Sequence, residues 1–273
     1  MKIFAIKDET DVSKKTLAWL IYYENSKRFY IELPEDGDIW HTPLLLSSFL
    51  KKGEKTINAY WSEVWVNQRI IPSDRQNLGQ ILKENGLNEY DPYKLLILAK
   101  GRCAQDDYYI EQIKDDELPK ELIDRFKRKI DDVVPLTEYG LLVFFCNGVV
   151  KKCLLRNYFE NNRIYGPLLS NKSLYNTMKV SSGGYGIYWG ENLEITSEEL
   201  YKLGVDVPLS LNDFISFVKE RVISSGEVAE LLNCSRQNLD DLVKRGKLHP
   251  IKVSARNKLY LKNEVEQRVK KSV

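Results

Sequence analysis

Three consecutive side chains, Arg236, Gln237 and Asn238, are of the types that pair bidentately with base edges, arginine with guanine and glutamine or asparagine with adenine. They follow Ser235, which can cap a helix by accepting a backbone amide from the first turn. All three side chains then project from that turn, where the helix dipole and the free amides also favour a nearby phosphate. Leu239, Leu242 and Val243 repeat behind them at three- and four-residue spacing, while Asp240, Lys244 and Arg245 point elsewhere. Gly246 stops the helix. The cap competes for Asn238, so Arg236 and Gln237 are the stronger candidates for base contact. Of the acidic neighbours Asp240 and Asp241, one can accept from a cytosine amine and the other repels phosphate.

The remaining groups that carry chemistry do not assemble into a site. Cys103, Cys146, Cys153, Cys234, His41 and His249 form no CxxC or HxxxH pair, so no metal is expected. Cys146 and Cys153 flank an Asn147-Gly148 turn whose register separates the two sulfurs, and free thiols in a reducing compartment are expected. The run Ser181-Ser182-Gly183-Gly184-Tyr185-Gly186 has the composition of a phosphate cradle. Such a loop needs a strand before it and a helix N-terminus after it; here a strand follows, and the run reads as a hairpin turn. Asp106-Asp107 and Asp131-Asp132 are adjacent pairs, and neighbours on a strand face opposite ways. No nucleophile or acid–base constellation is left, so neither a catalytic residue, nor a cofactor, nor an enzymatic activity is expected.

The elements that must position Arg236 and Gln237 are legible around them. Ser224 can cap a preceding helix, with Glu227 reaching back in a capping box. Val228, Ala229, Leu231 and Leu232 give that helix an apolar stripe, and it ends at Asn233, a residue that tolerates the left-handed conformation of a tight turn. After Leu248, residues 251–253 and 259–261 read as paired strands joined by Ser254, Ala255, Arg256, Asn257 and Lys258. A basic turn of this kind suits phosphate contact. Lys244, Arg245, Lys247, Lys252, Arg256, Lys258, Lys262, Arg268, Lys270 and Lys271 cluster in a chain whose net charge is only +2, so affinity for nucleic acid must come from this local patch. The expected DNA contacts are Ser235, Arg236, Gln237, Asn238, Lys244, Arg245, Lys252, Arg256, Asn257 and Lys258.

Residues 223–260 resemble the excisionase-like and MerR-like helix-turn-helix family. Lys244 to Leu248 stand at the place of that family's Lys-Arg-Gly-Lys-Leu run, whereas the wing lacks the family's usual glycine. The resemblance implies a winged helix-turn-helix that reads double-stranded DNA.

The 273 residues suggest two or three domains, and 43% hydrophobic residues suffice for folded cores. The opening residues lack the apolar core of a signal peptide, and no run approaches the roughly 18 apolar residues of a membrane span, so a cytoplasmic protein is expected. Residues 1–113 read as an α+β module. Strands are predicted at 2–7, 16–23 and 28–33, and a helix through Tyr60, Trp61, Val64, Trp65 and Gln68. A restart at Pro72-Ser73 with a Ser73/Gln76 capping box follows, and then a helix from Asp91-Pro92. Within this module residues 61–113 are similar to the short segment that precedes HipA-like kinases, on Pro72, Arg75, Gly86, Leu87, Asp106, Asp107 and Ile110. No Gly-rich ATP loop or His-Arg-Asp element follows, so the resemblance implies a mobile-element or toxin–antitoxin neighbourhood and not a kinase. Arg-Gln-Asn-Leu occurs at both 75–78 and 236–239, but flanks and period do not support a repeat.

Residues 114–132 read as a charged linker ending in an amphipathic helix through Leu122, Ile123, Phe126 and Ile130. Residues 133–205 form a central α+β domain: a hairpin on Asn147-Gly148, another around Gly183-Gly184, and a closing helix at 197–203. It resembles a small bacterial domain of unknown function through Val133 or Val134 with Pro135 and Leu136, Asn147-Gly148, Trp189 and Leu200-Tyr201; Cys153-Leu154 replace an acidic residue common there. A connecting helix follows in 206–222, whose Phe214, Ile215, Phe217 and Val218 suit a neighbour or a second subunit. The DNA-binding domain is expected over 223–273. The expected fold class is α+β and multidomain, two small α+β modules followed by a C-terminal winged helix-turn-helix. The expected function is sequence-specific transcriptional regulation, the upstream modules serving homodimerisation or a protein partner, with no membrane. An antitoxin-like or adaptor protein that uses the helix-turn-helix for docking stays open beside it.

Overall fold

The computed structural model describes residues 1–114, 117–190, 193–208 and 210–272; of the basic cluster, the side chains of Lys270 and Lys271 lie outside the described residues. The chain is mixed α+β with several small antiparallel sheets. It divides into two compact units, Met1–Asn147 with Cys153–Gly204, and Gly148–Lys152 with Val205–Val273. Among the described residues no helix is long and apolar enough to cross a membrane.

The first unit opens on Lys2–Asp8 (β1), Ala18–Tyr23 (β2) and Arg28–Glu32 (β3), whose nearly unbroken apolar runs suit strands covered on both faces. Leu44–Lys51 (α1), Thr56–Ile57 (β4), Ala59–Asn67 (α2), Leu78–Glu84 (α3), Pro92–Leu98 (α4) and Tyr108–Gln112 (β5) complete the module, with the strands ordered β4-β3-β2-β1-β5. Phe4, Ile6, Leu20 and Ile31 on one face join Leu46, Trp65 and Leu96 in the main core. The helix starts follow their capping residues: Asn58 accepts from the Trp61 amide at 3.1 Å, and Asp91 accepts from the Lys94 amide with Pro92 in the first turn. The capping box expected at Ser73 and Gln76 does not start a helix. Two successive turns close there, Arg75 N to Pro72 O and Leu78 N to Arg75 O, and the helix begins at Leu78, whose turn leads to the buried Leu82.

Within the segment read as linker, Lys120–Lys127 (α5) lays a fully buried Leu122 against Ile3, Trp19 and Ile21 on the opposite face of the sheet. Ile130–Pro135 (β6), Gly140–Phe145 (β7) and Val150–Leu154 (β8) follow, with the Asn147-Gly148 turn taking a positive φ at Gly148. Three short helices, Arg156–Asn161 (α6), Gly166–Ser170 (α7) and Lys172–Tyr175 (α8), were not expected. They bring Phe159, Tyr165, Leu168 and Tyr175 into a core with Leu141, Val143 and Trp189. Lys179–Val180 (β9), Gly186–Trp189 (β10) and Leu193–Thr196 (β11) form an antiparallel sheet, and Ser197–Leu203 (α9) starts on a Thr196/Glu199 capping box.

One buried knot ties β3 to the chain around β6 and β10 within this unit. Glu32, fully buried, accepts from Lys129 Nζ at 2.9 Å, Arg125 Nη1 at 3.2 Å and Thr56 Oγ1 at 2.8 Å. Lys129 Nζ also lies 3.6 Å from the centre of the Tyr185 ring, and that ring stacks on Tyr30 at 3.8 Å. Burial pushes the Tyr185 hydroxyl well above the ordinary phenol range, and burial lowers the Lys129 ammonium although Glu32 acts against it. The glycine run lets the backbone come this close. A Cβ on Gly184, which has φ +72, would stand 2.1 Å from the Ile130 carbonyl oxygen, and one on Gly183 would enter the Tyr23 ring.

The second unit begins where Val205–Val207 (β12) pairs antiparallel with Val150–Lys152. Leu211–Arg221 (α10), Val222–Ser224 (β13), Ser225–Leu231 (α11), Arg236–Lys244 (α12), Lys252–Val253 (β14), Lys258–Leu261 (β15) and Lys262–Ser272 (α13) follow. The sheet runs β13-β15-β14, so the two expected strands gain a third, and α13 is a helix beyond the expected elements. Ile223, Val228, Leu239, Leu248, Tyr260 and Val265 make the core.

Candidate nucleic-acid interface

Arg236, Gln237 and Asn238 occupy the first turn of α12, and all three are exposed. Ser235 caps that turn, accepting from the Asn238 amide at 3.2 Å, so the cap engages the backbone of Asn238 and leaves its side chain outside. Leu239, one residue on, is 2% exposed and anchors the helix in the core, with Leu242 and Val243 packed beside it. At about 100° per residue these three positions define the inner face. The opposite face then presents Gln237, Asp241 and Lys244, with Arg236 and Asp240 on one flank and Asn238 and Arg245 on the other.

The preceding helix fixes the angle at which α12 is presented. Ser224 and Glu227 form the expected capping box, with the Glu227 carboxylate accepting from the Ser224 amide at 2.7 Å. Those bonds hold the Glu227 carboxyl below the usual carboxylate range. Asn233 takes φ +47, and the Cys234 amide donates to the Ala229 carbonyl at 3.0 Å, which turns the chain into α12. Val228 is fully buried at the crossing, while Leu231, expected in the stripe, is 41% exposed.

The turn between β14 and β15 is closed from both sides. The Ser254 amide donates to the Asn257 carbonyl at 2.8 Å, and the Asn257 amide donates to Ser254 Oγ at 3.1 Å. Arg256 at the tip and Lys252 on β14 are exposed. Lys258 has a different position: its Nζ lies 2.6 Å from Asp240 Oδ1, so it joins the strand pair to the Arg236 flank of α12. This contact holds the Asp240 carboxyl below the ordinary range and raises the Lys258 ammonium. Its contribution is present above the ordinary carboxylate pKa and is lost as pH falls through the lowered one, so the bridge stands at neutral pH.

Asp240, one of the two acids that the sequence set against base or phosphate without distinguishing them, therefore has a structural partner 18 residues away. No local spacing announces that bond. The helix α13 supplies further support that the sequence reading missed: the His249 amide donates to Glu264 Oε1 at 3.1 Å, Arg268 Nη1 donates to the Lys247 carbonyl at 3.2 Å, and Val265 is fully buried. The signal for it was available in Val265, Arg268 and Val269 at helical spacing.

Of the expected contacts, Ser235, Arg236, Gln237 and Asn238 are together at one helix end. Lys244 and Arg245 stand exposed at the other end, about 12 Å along the axis. Lys252, Arg256 and Asn257 lie on the strand pair, which Lys258 ties back to α12. Elsewhere, all four cysteines are free thiols, and among the described residues no group of three or more His, Cys, Asp or Glu side chains is placed to hold a metal ion.

No curated protein and no solved structure matches the chain. Residues 130–206, from the first residue of β6 into β12, match the model of a family described as a protein of unknown function (DUF2442), in agreement with the resemblance read from Pro135, Asn147-Gly148 and Trp189.

Proposed function

We propose that the chain is a sequence-specific DNA-binding regulator whose second unit is a winged helix-turn-helix of the excisionase-like and MerR-like kind. α11 and α12 are its helix pair, and the β14–β15 turn is its wing. The observation that carries the reading is the capped start of α12, where Arg236, Gln237 and Asn238 are exposed immediately before the buried Leu239. A helix presented this way enters the major groove with its first turn at the base edges, while basic side chains on the wing meet phosphate. The upstream modules, including the stretch that matches DUF2442, then serve a partner or oligomerisation and carry no reaction of their own. The segment similar to the one before HipA-like kinases supports a mobile-element or toxin–antitoxin setting.

The test is binding of Arg236→Ala and Gln237→Ala to a site selected from random duplexes, and to single-base variants of it. Each lost bidentate contact is expected to cost about 1–3 kcal/mol and to relax preference at one base position. Because both residues are exposed, both variants stay folded. Folded variants with wild-type affinity and base preference would instead make α12 a docking surface for a protein, as in an antitoxin-like adaptor.

A further inference from the structure

The second turn of α12 carries two adjacent acids, and the fold treats them differently. Asp240 lies on one flank with the Lys258 ammonium 2.6 Å from its carboxylate, so its charge is offset within the second unit. Asp241 lies with Gln237 and Lys244 on the face opposite Leu239, and it is partly exposed. Among the described residues its carboxylate has no ion-pair or hydrogen-bond partner. On a helix that meets DNA, such a carboxylate is repelled by phosphate, and binding tolerates it only opposite a hydrogen-bond donor. The major-groove edges narrow that donor to one base. Guanine presents two acceptors, thymine an acceptor and a methyl group, and adenine a donor beside an acceptor, whereas cytosine presents a donor with no acceptor on its own edge.

We propose that Asp241 is the specificity-determining acid of α12, its carboxylate accepting from the N4 amine of a cytosine in the major groove, while Asp240 serves as the anchor for Lys258. This rests on the DNA-binding reading of the second unit given above. The spacing sets where the cytosine lies. Asp241 stands one turn after Gln237, about 6 Å along the helix axis. Base pairs stack at about 3.4 Å, so the cytosine falls within two base pairs of the pair that Gln237 contacts. The two acids thus divide the work that neither could do alone: one fixes the wing to the helix, and the other penalises every sequence that lacks a donor at its place.

Binding of the full chain to a site selected from random duplexes, to its single-base-pair variants and to a random-sequence duplex tests this, for the wild type, Asp241→Ala and Asp240→Asn. Alanine at an outward position keeps the helix, so folding is not at risk. The wild type is expected to require a C·G pair within two base pairs of the one whose preference Gln237→Ala relaxes, and to lose about tenfold in affinity when that pair is changed. Asp241→Ala is expected to bind all four pairs there equally, and to bind the random-sequence duplex more tightly than the wild type, because an acid has left the phosphate field. A merely structural role for Asp241 would lower both affinities instead. Asp240→Asn is expected to keep the cytosine preference and to steepen the salt dependence, as Lys258 is released to phosphate. A selected site without that cytosine would overturn the inference and leave the DNA-binding reading standing, as would an Asp241→Ala protein that keeps every base preference. Loss of the cytosine preference in Asp240→Asn alone would overturn it too, by reversing the roles of the two acids. A wild type that binds no duplex would overturn the DNA-binding reading, and this inference with it.

Discussion

Replacing Glu32 with alanine is expected to cost the first unit about 3–5 kcal/mol, the penalty for leaving buried charges without their partner. Glu32 is fully buried, and two cations converge on it: Lys129, only 6% exposed, and Arg125. With the carboxylate gone, Arg125 keeps the Leu33 carbonyl at 2.6 Å and Glu35 at 2.7 Å. Lys129 keeps one face of the Tyr185 ring, and an ammonium buried there loses far more than it retains. The loss should propagate, since the Tyr185 ring that Lys129 covers is stacked on Tyr30 of β3. All five tryptophans, Trp19, Trp40, Trp61, Trp65 and Trp189, belong to this unit, so urea unfolding followed by tryptophan fluorescence reports on it alone. A cost below about 1 kcal/mol, the range of a surface ion pair, would mean that Glu32 is not the centre of the knot.

Leu239→Ala is expected to unfold the second unit or leave it marginal. Truncating a buried leucine costs about 2–5 kcal/mol, depending on how far the site collapses. Few residues are available to compensate, because the core of this unit is Ile223, Val228, Leu239, Leu248, Tyr260 and Val265. Small cores begin with little stability to lose. Circular dichroism should show helix loss with tryptophan fluorescence unchanged, and amides of α11 and α12 should lose protection from hydrogen exchange. On the function proposed above, DNA binding would vanish with the fold, which separates this variant from Arg236→Ala and Gln237→Ala. A folded Leu239→Ala protein of wild-type stability would show that α12 is held by something other than its inner face.

What could be read from the sequence was local. Ser224 with Glu227, Asn233, Ser235, Gly246 and the apolar stripe through Leu239 each act within a turn or two of helix, and each stands where the spacing put it. The same is true of the Asn147-Gly148 turn and of the helix at 197–203. Failures came where a distant partner decides. The strand β13 exists because Val222–Ser224 finds β15 some 35 residues on, by the registers Val222 with Leu261 and Ser224 with Leu259. Glu32 lies at the end of β3 with no sequence neighbour to mark it, and only the fold brings Lys129 and Arg125 to it. The glycine run 183–184 had the composition of an anion cradle. It serves close packing against Tyr23 and Ile130, which no spacing within the run could show. The helices α6 to α8 are so short, and so broken by Asn161, Asn162, Gly166 and Asn171, that no period could emerge from them.

The most direct measurement is the affinity of the full chain for a selected duplex across a series of salt concentrations, for the wild type and Arg256→Ala. If α12 and the β14–β15 turn lie on DNA, log K falls linearly with log salt at about 0.9 per phosphate neutralised, and removing the exposed Arg256 lowers that slope by about 1 without altering base preference. Lys258, held by Asp240, should contribute less to the slope than Arg256. Duplex binding that is absent, or that ignores salt in both proteins, would contradict DNA recognition by this unit and leave α12 as a surface for a protein partner.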